Sequence, residues 1–232
     1  MNSTVKQMTD SERFRVCWNV WDKMKGRKMA DLKNIVPMDN EEDYLGHMFW
    51  LQREMQKFNH KKRPEIVHPQ ADYDKRIGAA IYYWNATCVE YSEMLGADND
   101  EDRHEELVDM LHFIMAQLIY LDVDIEKFHR NYKMFFDGPS LRDTGENLWS
   151  ALSLEWADLI RTMPFKIWKT YEGSEMKLIH TELQTSHAEF FLQFFFDICK
   201  HYGLGKNELY FGYINKNIEN FKRQMPGGMY EK

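Results

Sequence analysis

Apolar side chains recur at steps of three and four residues along most of this chain, which is the spacing of one face of an α-helix. In residues 41–61 the apolar positions are Tyr44, Leu45, Met48, Leu51, Met55 and Phe58. Glycine and proline are scarce, and no segment alternates apolar and polar residues as a strand does. The pattern therefore predicts an all-α protein.

The periodic segments define the predicted helices. They are residues 11–24, 41–61, 75–95, 105–121, 125–136, 146–163, 175–201 and 207–224. Proline or glycine accounts for the breaks near Pro64, at Gly96, at 137–140 and at 202–205. We interpret residues 97–103 as a polar connection ahead of the helix that begins at Glu105.

Two parts of the chain also show a weak sequence similarity to each other. Residues 106–132 resemble residues 187–213 at a shift of 81. Upstream, the pair Glu155 and Asp158 resembles the pair Glu90 and Glu93. Either the chain arose by duplication and the second copy lost acids, or two amphipathic helix pairs merely look alike. We predict two helical halves, 1–136 with the acidic motifs and 137–232 with the C-terminal helix, which together form one compact catalytic unit.

Composition narrows the possible functions. The chain has 30 basic and 37 acidic residues, and the resulting net charge of −7 argues against a protein that coats DNA or RNA. Three separated cysteines argue against a disulfide scaffold. The apolar stretch 111–121 is too short to span a bilayer. We expect a cytoplasmic protein, or one in a host's cytoplasm if it is phage-encoded, without nucleic-acid or membrane partners.

Two pairs of acids stand at helical spacing. Glu90 and Glu93 lie on one predicted helix, and Glu106 and Asp109 lie on the next. Only the 12 residues 94–105 separate the pairs, so the helices should be neighbours whose four carboxylates converge. Converging carboxylates repel one another, and Mg²⁺ or Mn²⁺ would relieve the repulsion. The alternative is an ordinary solvated helix face.

The last predicted helix carries the complementary charge. Its Tyr213, Lys216, Asn220 and Arg223 share one face and could hold a polyphosphate. The alternative is a basic final turn that complements the helix dipole.

These motifs resemble the all-α nucleoside triphosphate pyrophosphohydrolases, which include the dimeric dUTPases, the phage dCTPase-dUTPases and the MazG-type enzymes. The acidic pairs resemble the ExxE and ExxD metal signature, and ELVDMLHF at 106–113 resembles the third motif. Residues 213–230 resemble the phosphate-binding motif KNxxNxxRQ…GY. Residues 51–56, LQREMQ, with Asn59, resemble the motif that approaches the base.

The resemblance implies a helical bundle of the dimeric dUTPase or MazG type, acting as a homodimer on dUTP to give dUMP and pyrophosphate. Glu90, Glu93, Glu106 and Asp109 would hold Mg²⁺, with Mn²⁺ as the alternative metal and Glu93 or Glu90 as the general base. The phosphates would bind to Tyr213, Lys216, Asn220 and Arg223. The base would meet Gln52, Gln56 and Asn59. His112 is interpreted as a core histidine, with a place beside the metals as the alternative.

One difference from the dimeric dUTPases bears on which base the protein prefers. The tryptophan-rich stretch that follows ExxE in dimeric dUTPases is absent from 94–105, and a similar string stands at 164–169 instead. Trp168 or Trp84 would then supply the face on which the base stacks. A preference for dCTP, or for both nucleotides, stays open. A non-enzymatic helical interaction protein, binding through the aromatic residues 190–196, is the alternative from another class.

Overall fold

The computed structural model describes residues 43–141, 145–162 and 174–223. Within these ranges the all-α prediction is confirmed: there are seven α-helices, one 3-10 turn and no strand. The helices are α1 (Tyr44–Lys62), α2 (Tyr73–Gly96), α3 (Asp100–Tyr120), α4 (Tyr132–Asp137), α5 (Gly145–Thr162), α6 (Ser174–His201) and α7 (Lys206–Arg223). Each of these helices is too short or too polar to cross a bilayer. The helix predicted at 11–24 lies outside the described residues.

Helix α3 begins at Asp100, so the prediction of a polar connection is wrong for residues 100–103. Asn99 caps the helix, because its side-chain oxygen accepts the backbone N–H of Asp102 at 3.0 Å. The first turn is acidic, which the positive end of the helix dipole favours. A run that looks like a solvated linker is therefore a well-capped helix start.

The single helix predicted at 125–136 is also wrong. The structure has a 3-10 turn at Ile125–Lys127 and then, after an irregular stretch, the short helix α4. The backbone N–H groups of His129 and Arg130 donate to the Glu189 carboxylate of α6, which removes them from a helical ladder. Asn131 then caps α4 by accepting the Met134 N–H at 3.0 Å. Glu189, which is distant in sequence, therefore decides where the predicted helix is interrupted.

Two helix pairs form the body of the bundle. Helices α2 and α3 pack together across a three-residue connection, and α5 packs along α6. The Gln117 side chain donates to the Thr87 hydroxyl at 2.8 Å inside the first pair. Helices α1 and α7 both pack on α3 and on each other.

The helix that follows each pair packs on the other pair. Helix α4 follows α3 but packs on α6, whereas α7 follows α6 but packs on α3. Tyr132 of α4 and Tyr213 of α7, which the 81-residue shift relates, are both fully buried. The Tyr132 ring meets Phe196 of α6 edge-on, and the Tyr213 ring stacks on His112 of α3. The shift thus relates two helices that exchange partners; the duplication and the predicted division at 136/137 stay predictions.

Helix α6 supplies much of the core. Within 190–196, four of the five phenylalanines are buried and only Phe190 is exposed. Most of this aromatic run is therefore unavailable as a binding face for another protein. The predicted break at 202–205 is confirmed: Gly203 has φ +77°, a conformation that glycine adopts without strain, and it lets α7 turn back onto α3.

Candidate active site

Three glutamates meet where the C-terminal half of α2 faces the first half of α3. One carboxylate oxygen from each of Glu90, Glu93 and Glu106 lies within 4.8 Å of the other two. The side chains meet because Glu90 and Glu93 share a face of α2 and the short connection brings α3 back alongside it. Glu93 is the exposed member of the three.

The local environment favours protonation of this cluster. Burial raises the pKa of Glu90 to about 8, and its hydrogen bond with Glu106 and the charges of Asp109, Glu106 and Glu93 add to the rise. Burial also raises the pKa of Glu106. A set of oxygen donors whose mutual repulsion is unrelieved fits a hard divalent cation such as Mg²⁺ or Mn²⁺.

Asp109, the fourth predicted ligand, pairs with Lys216 of α7. The Lys216 Nζ lies 2.8 Å from an Asp109 carboxylate oxygen. Burial alone would lower the pKa of Lys216, but the charge of Asp109 and the hydrogen bond to it outweigh that effect and raise the pKa. A cation therefore stands at the edge of the carboxylate cluster.

The other predicted phosphate-binding residues divide into two groups. Asn220 and Arg223 follow Lys216 at i+4 and i+7 on α7, so they continue its face, and both are partly buried. Tyr213 instead lies inside the bundle, where its hydroxyl is 3.0 Å from the side-chain oxygen of Gln52 and 3.2 Å from the Met48 carbonyl oxygen. The structure thus separates Tyr213 from the basic face.

A buried polar cluster joins α1, α3 and α7. The Gln52 Oε1 atom accepts from Asn217 at 2.9 Å, from Tyr213 at 3.0 Å and from His112 Nδ1 at 3.1 Å. Burial lowers the pKa of His112 to about 3, and the Lys216 charge adds to that effect, so the ring is neutral. His112 Nδ1 also lies 3.4 Å from the Asn217 Nδ2 donor, but its shorter contact is with Gln52 Oε1, which can only accept. The shorter contact favours the tautomer that donates from Nδ1 and accepts at Nε2.

Two acceptors of this cluster lack partners. His112 Nε2 and Asn217 Oδ1 are buried and have no hydrogen-bond partner among the described residues. Such atoms are costly unless a ligand or a water molecule supplies a donor. Asn217 stands inside the C-terminal motif but was not among the predicted site residues. Its position four residues after Tyr213, on the same helix face, is the signal that would have identified it.

The remaining predicted base-binding side chains have different surroundings. Gln56, one turn after Gln52 on α1, accepts from the Tyr83 and Tyr120 hydroxyls at 3.1 and 3.4 Å. The Asn59 Oδ1 atom is buried without a partner among the described residues.

The two candidate stacking tryptophans are not equivalent. The Trp84 ring lies nearly parallel to Trp149 and Trp156 of α5, with centroids 5.6 and 5.3 Å apart. Tyr91 of α2 stacks on the same Trp149 at 3.8 Å. Trp84 thus belongs to an aromatic stack that connects α2 with α5. Trp168 lies outside the described residues.

Comparison with known proteins bears on the C-terminal part of the chain. Residues 176–227 match the protein family described as dUTPase. No curated protein and no solved structure gave a match. The matched segment includes all of α7, and therefore Lys216 and Asn217, but neither acidic pair. Over this segment the chain is dUTPase-like, which supports a nucleotide hydrolase in general.

Proposed function

We propose that this protein is a Mg²⁺-dependent deoxynucleoside triphosphate pyrophosphohydrolase that converts dUTP and water to dUMP and pyrophosphate. The observation that carries the proposal is the position of Lys216. This cation lies in the dUTPase-like segment, and its ion pair with Asp109 holds it beside the three-glutamate cluster. Carboxylates that suit a divalent metal and a cation that suits a phosphate thus stand side by side.

The acidic side chains would hold the metal. Glu90, Glu93 and Glu106 would bind Mg²⁺, and Asp109 would join them once Lys216 turns to the substrate. When bound, Mg²⁺ screens the charge of the phosphate oxygens and helps to activate water. Glu93, the exposed member of the cluster, is assigned to accept the proton of the attacking water, with Glu90 as the alternative.

The cationic face of α7 would position the phosphates. Lys216 would exchange its hydrogen bond with Asp109 for one with a phosphate oxygen, and Asn220 and Arg223 would bind further along the polyphosphate. Water then attacks the α-phosphorus, the bond from that phosphorus to the bridging oxygen breaks, and pyrophosphate leaves.

The nucleoside would meet the polar cluster between α1, α3 and α7. Gln52 lies at its centre, and His112 Nε2 and Asn217 Oδ1 can each accept a hydrogen bond from an N–H or O–H of the ligand. Gln56 and Asn59 lie farther along α1 and remain candidates for the base edge. Stacking of the base on Trp84 or Trp168 stays a prediction, and so does the homodimer, which sedimentation can test.

A substrate panel tests the proposal. The full chain is incubated with dUTP, dCTP, dTTP and UTP in Mg²⁺, and both monophosphate and pyrophosphate are measured. We expect equimolar dUMP and pyrophosphate, the highest kcat/KM for dUTP, and no reaction in EDTA. Faster turnover of dCTP would replace dUTP by dCTP as the substrate. Absence of pyrophosphate release from every nucleotide would contradict the proposal and favour an interaction protein.

A further inference from the structure

A second cluster of potential metal ligands lies between α5 and α6. Ligand atoms of Glu155 and Asp158 on α5 and of His187 on α6 lie within 4.8 Å of one another. All three side chains are partly buried, with exposed fractions of 21%, 34% and 27%. The His187 Nδ1 atom is 2.8 Å from a Glu155 carboxylate oxygen.

This cluster resembles the three-glutamate cluster in its arrangement on two packed helices. In each, the first helix of a packed pair supplies two acids at i and i+3, and the second helix supplies the third side chain. A shift of 81 residues carries Glu106 onto His187, whereas Glu90 and Glu93 are carried onto Glu155 and Asp158 by a shift of 65. The same backbone arrangement therefore presents three ligands twice, and the second set includes a nitrogen donor.

The second cluster lacks the other parts of the first. The shift that relates Glu106 to His187 places Phe190 where Asp109 stands, and it places Lys216 against Phe135. Phe190 is 41% exposed and Phe135 is buried. With no fourth carboxylate and no phosphate-binding cation at these positions, the second cluster is unsuited to triphosphate hydrolysis, but it retains three ligands.

We propose that Glu155, Asp158 and His187 bind one divalent transition-metal ion of the Zn²⁺ type and thereby tie α5 to α6. Replacing a carboxylate oxygen by an imidazole nitrogen shifts preference from Mg²⁺ towards zinc and its neighbours, and three protein ligands leave a position for water. Among the described residues, Arg161 is the cation paired with this cluster; it lies 2.9 Å from Asp158 but is 77% exposed, and such surface pairs are weak. The inference is independent of the proposed hydrolase activity.

Zinc titration of the metal-free full chain tests this site. A Glu106→Gln background weakens the first cluster, and a chromophoric chelator competes for Zn²⁺. We expect one equivalent of Zn²⁺ to bind in this background and to raise Tm. Adding His187→Ala should reduce the affinity by at least about a hundredfold, since even outer-shell changes cost about ten- to a hundredfold. His187→Gln, which keeps a hydrogen-bonding side chain, should lose Zn²⁺ as well and guards against misfolding of the alanine variant.

A histidine control separates this site from adventitious binding. The rings of His60 and His68 lie 5.0 Å apart and offer Zn²⁺ another place to bind. His68→Ala should leave the Zn²⁺ affinity unchanged if the proposal holds. Retention of full affinity in both His187 variants, or loss of the bound equivalent in His68→Ala, would overturn it. His187→Glu, which recreates a third carboxylate, should favour Mn²⁺ over Zn²⁺ relative to the parent chain.

Discussion

The helix pairs α2–α3 and α5–α6 place three potential ligands in the same way but surround them with different charges. In the first pair, burial and neighbouring carboxylates raise the pKa of Glu90 to about 8. In the second, Glu155 already has a partner in His187 at 2.8 Å. Asp109 and Lys216 stand beside the first cluster, whereas the second has Phe190 at the position of Asp109 and pairs Asp158 with the exposed Arg161. The comparison teaches that the helix pair sets where ligands stand, and that a few residue identities decide the chemistry.

The largest effect should come from removing the third ligand of the first cluster. Glu106→Gln should reduce pyrophosphate release from dUTP by at least about a hundredfold, because loss of a metal ligand costs at least as much as loss of its supporting contacts. Steady-state kinetics in Mg²⁺ measures this effect. Glu65→Gln, which removes one exposed acid from the loop after α1, should leave kcat/KM unchanged. Equal activity in the Glu106 and Glu65 variants would remove the functional distinction between the clusters.

Lys216 reaches the first cluster from another helix and is partly buried, whereas Arg161, the cation paired with Asp158 of the second cluster, is 77% exposed. Lys216→Gln should lower kcat/KM for dUTP by about ten- to a hundredfold, since a charge-assisted hydrogen bond contributes roughly 1.5–3 kcal/mol. The matched control is Lys133→Gln, which removes an exposed lysine from α4. If both variants keep the activity of the parent chain, Lys216 serves only its ion pair with Asp109.

Each half also has a buried amide network, which allows a test of stability. Asn217 donates to Gln52 at 2.9 Å, and Gln193, the residue that the shift relates to His112, donates to Asp197 at 2.9 Å. Asn217→Leu and Gln193→Leu should each lower the free energy of unfolding by about 1–3 kcal/mol, because buried partners lose hydrogen bonds. Urea denaturation measures both. Only Asn217→Leu should also raise KM for dUTP; a raised KM in Gln193→Leu alone would place the nucleoside elsewhere.

The smallest expected effect is a change of Tm with pH. The pKa of Glu90 is near 4.5 unperturbed and about 8 in the folded protein, so the folded chain binds the extra proton between these values. That contribution to stability is complete below about pH 4.5 and disappears as the pH rises through 8. The Tm of the metal-free protein should therefore fall across this range, modestly because solvent screens a half-buried carboxyl.

Two comparisons check the origin of this pH dependence. Glu90→Gln should flatten the fall in Tm, whereas Glu155→Gln should not. Mg²⁺ should raise Tm more at pH 8 than at pH 5.5, since the ion competes with the proton for the same carboxylates. An unaltered slope in Glu90→Gln would assign the titration to another group.

Several features of the site could be predicted from local sequence spacing. Glu90 and Glu93 share a helix face because they are three residues apart, and a short connection was enough to bring Glu106 near them. Two other features could not be predicted in this way. The pairing of Asp109 with Lys216 depends on the docking of α7 against α3, and the direction of Tyr213 depends on where α1 places Gln52. These contacts join residues more than a hundred positions apart, so no periodicity within one helix reveals them.

By itself, the sequence determined the all-α class, most helix bounds and the acidic and basic faces, because these follow from spacing within one helix. Tertiary structure decided where the helix predicted at 125–136 breaks, since Glu189 of α6 takes its backbone N–H groups. It also decided that Asn217 rather than Asn220 enters the buried polar cluster. Finally, it decided that His187 meets Glu155 and Asp158, which no motif predicted. In each case the deciding partner comes from a different helix, and only packing brings the two together.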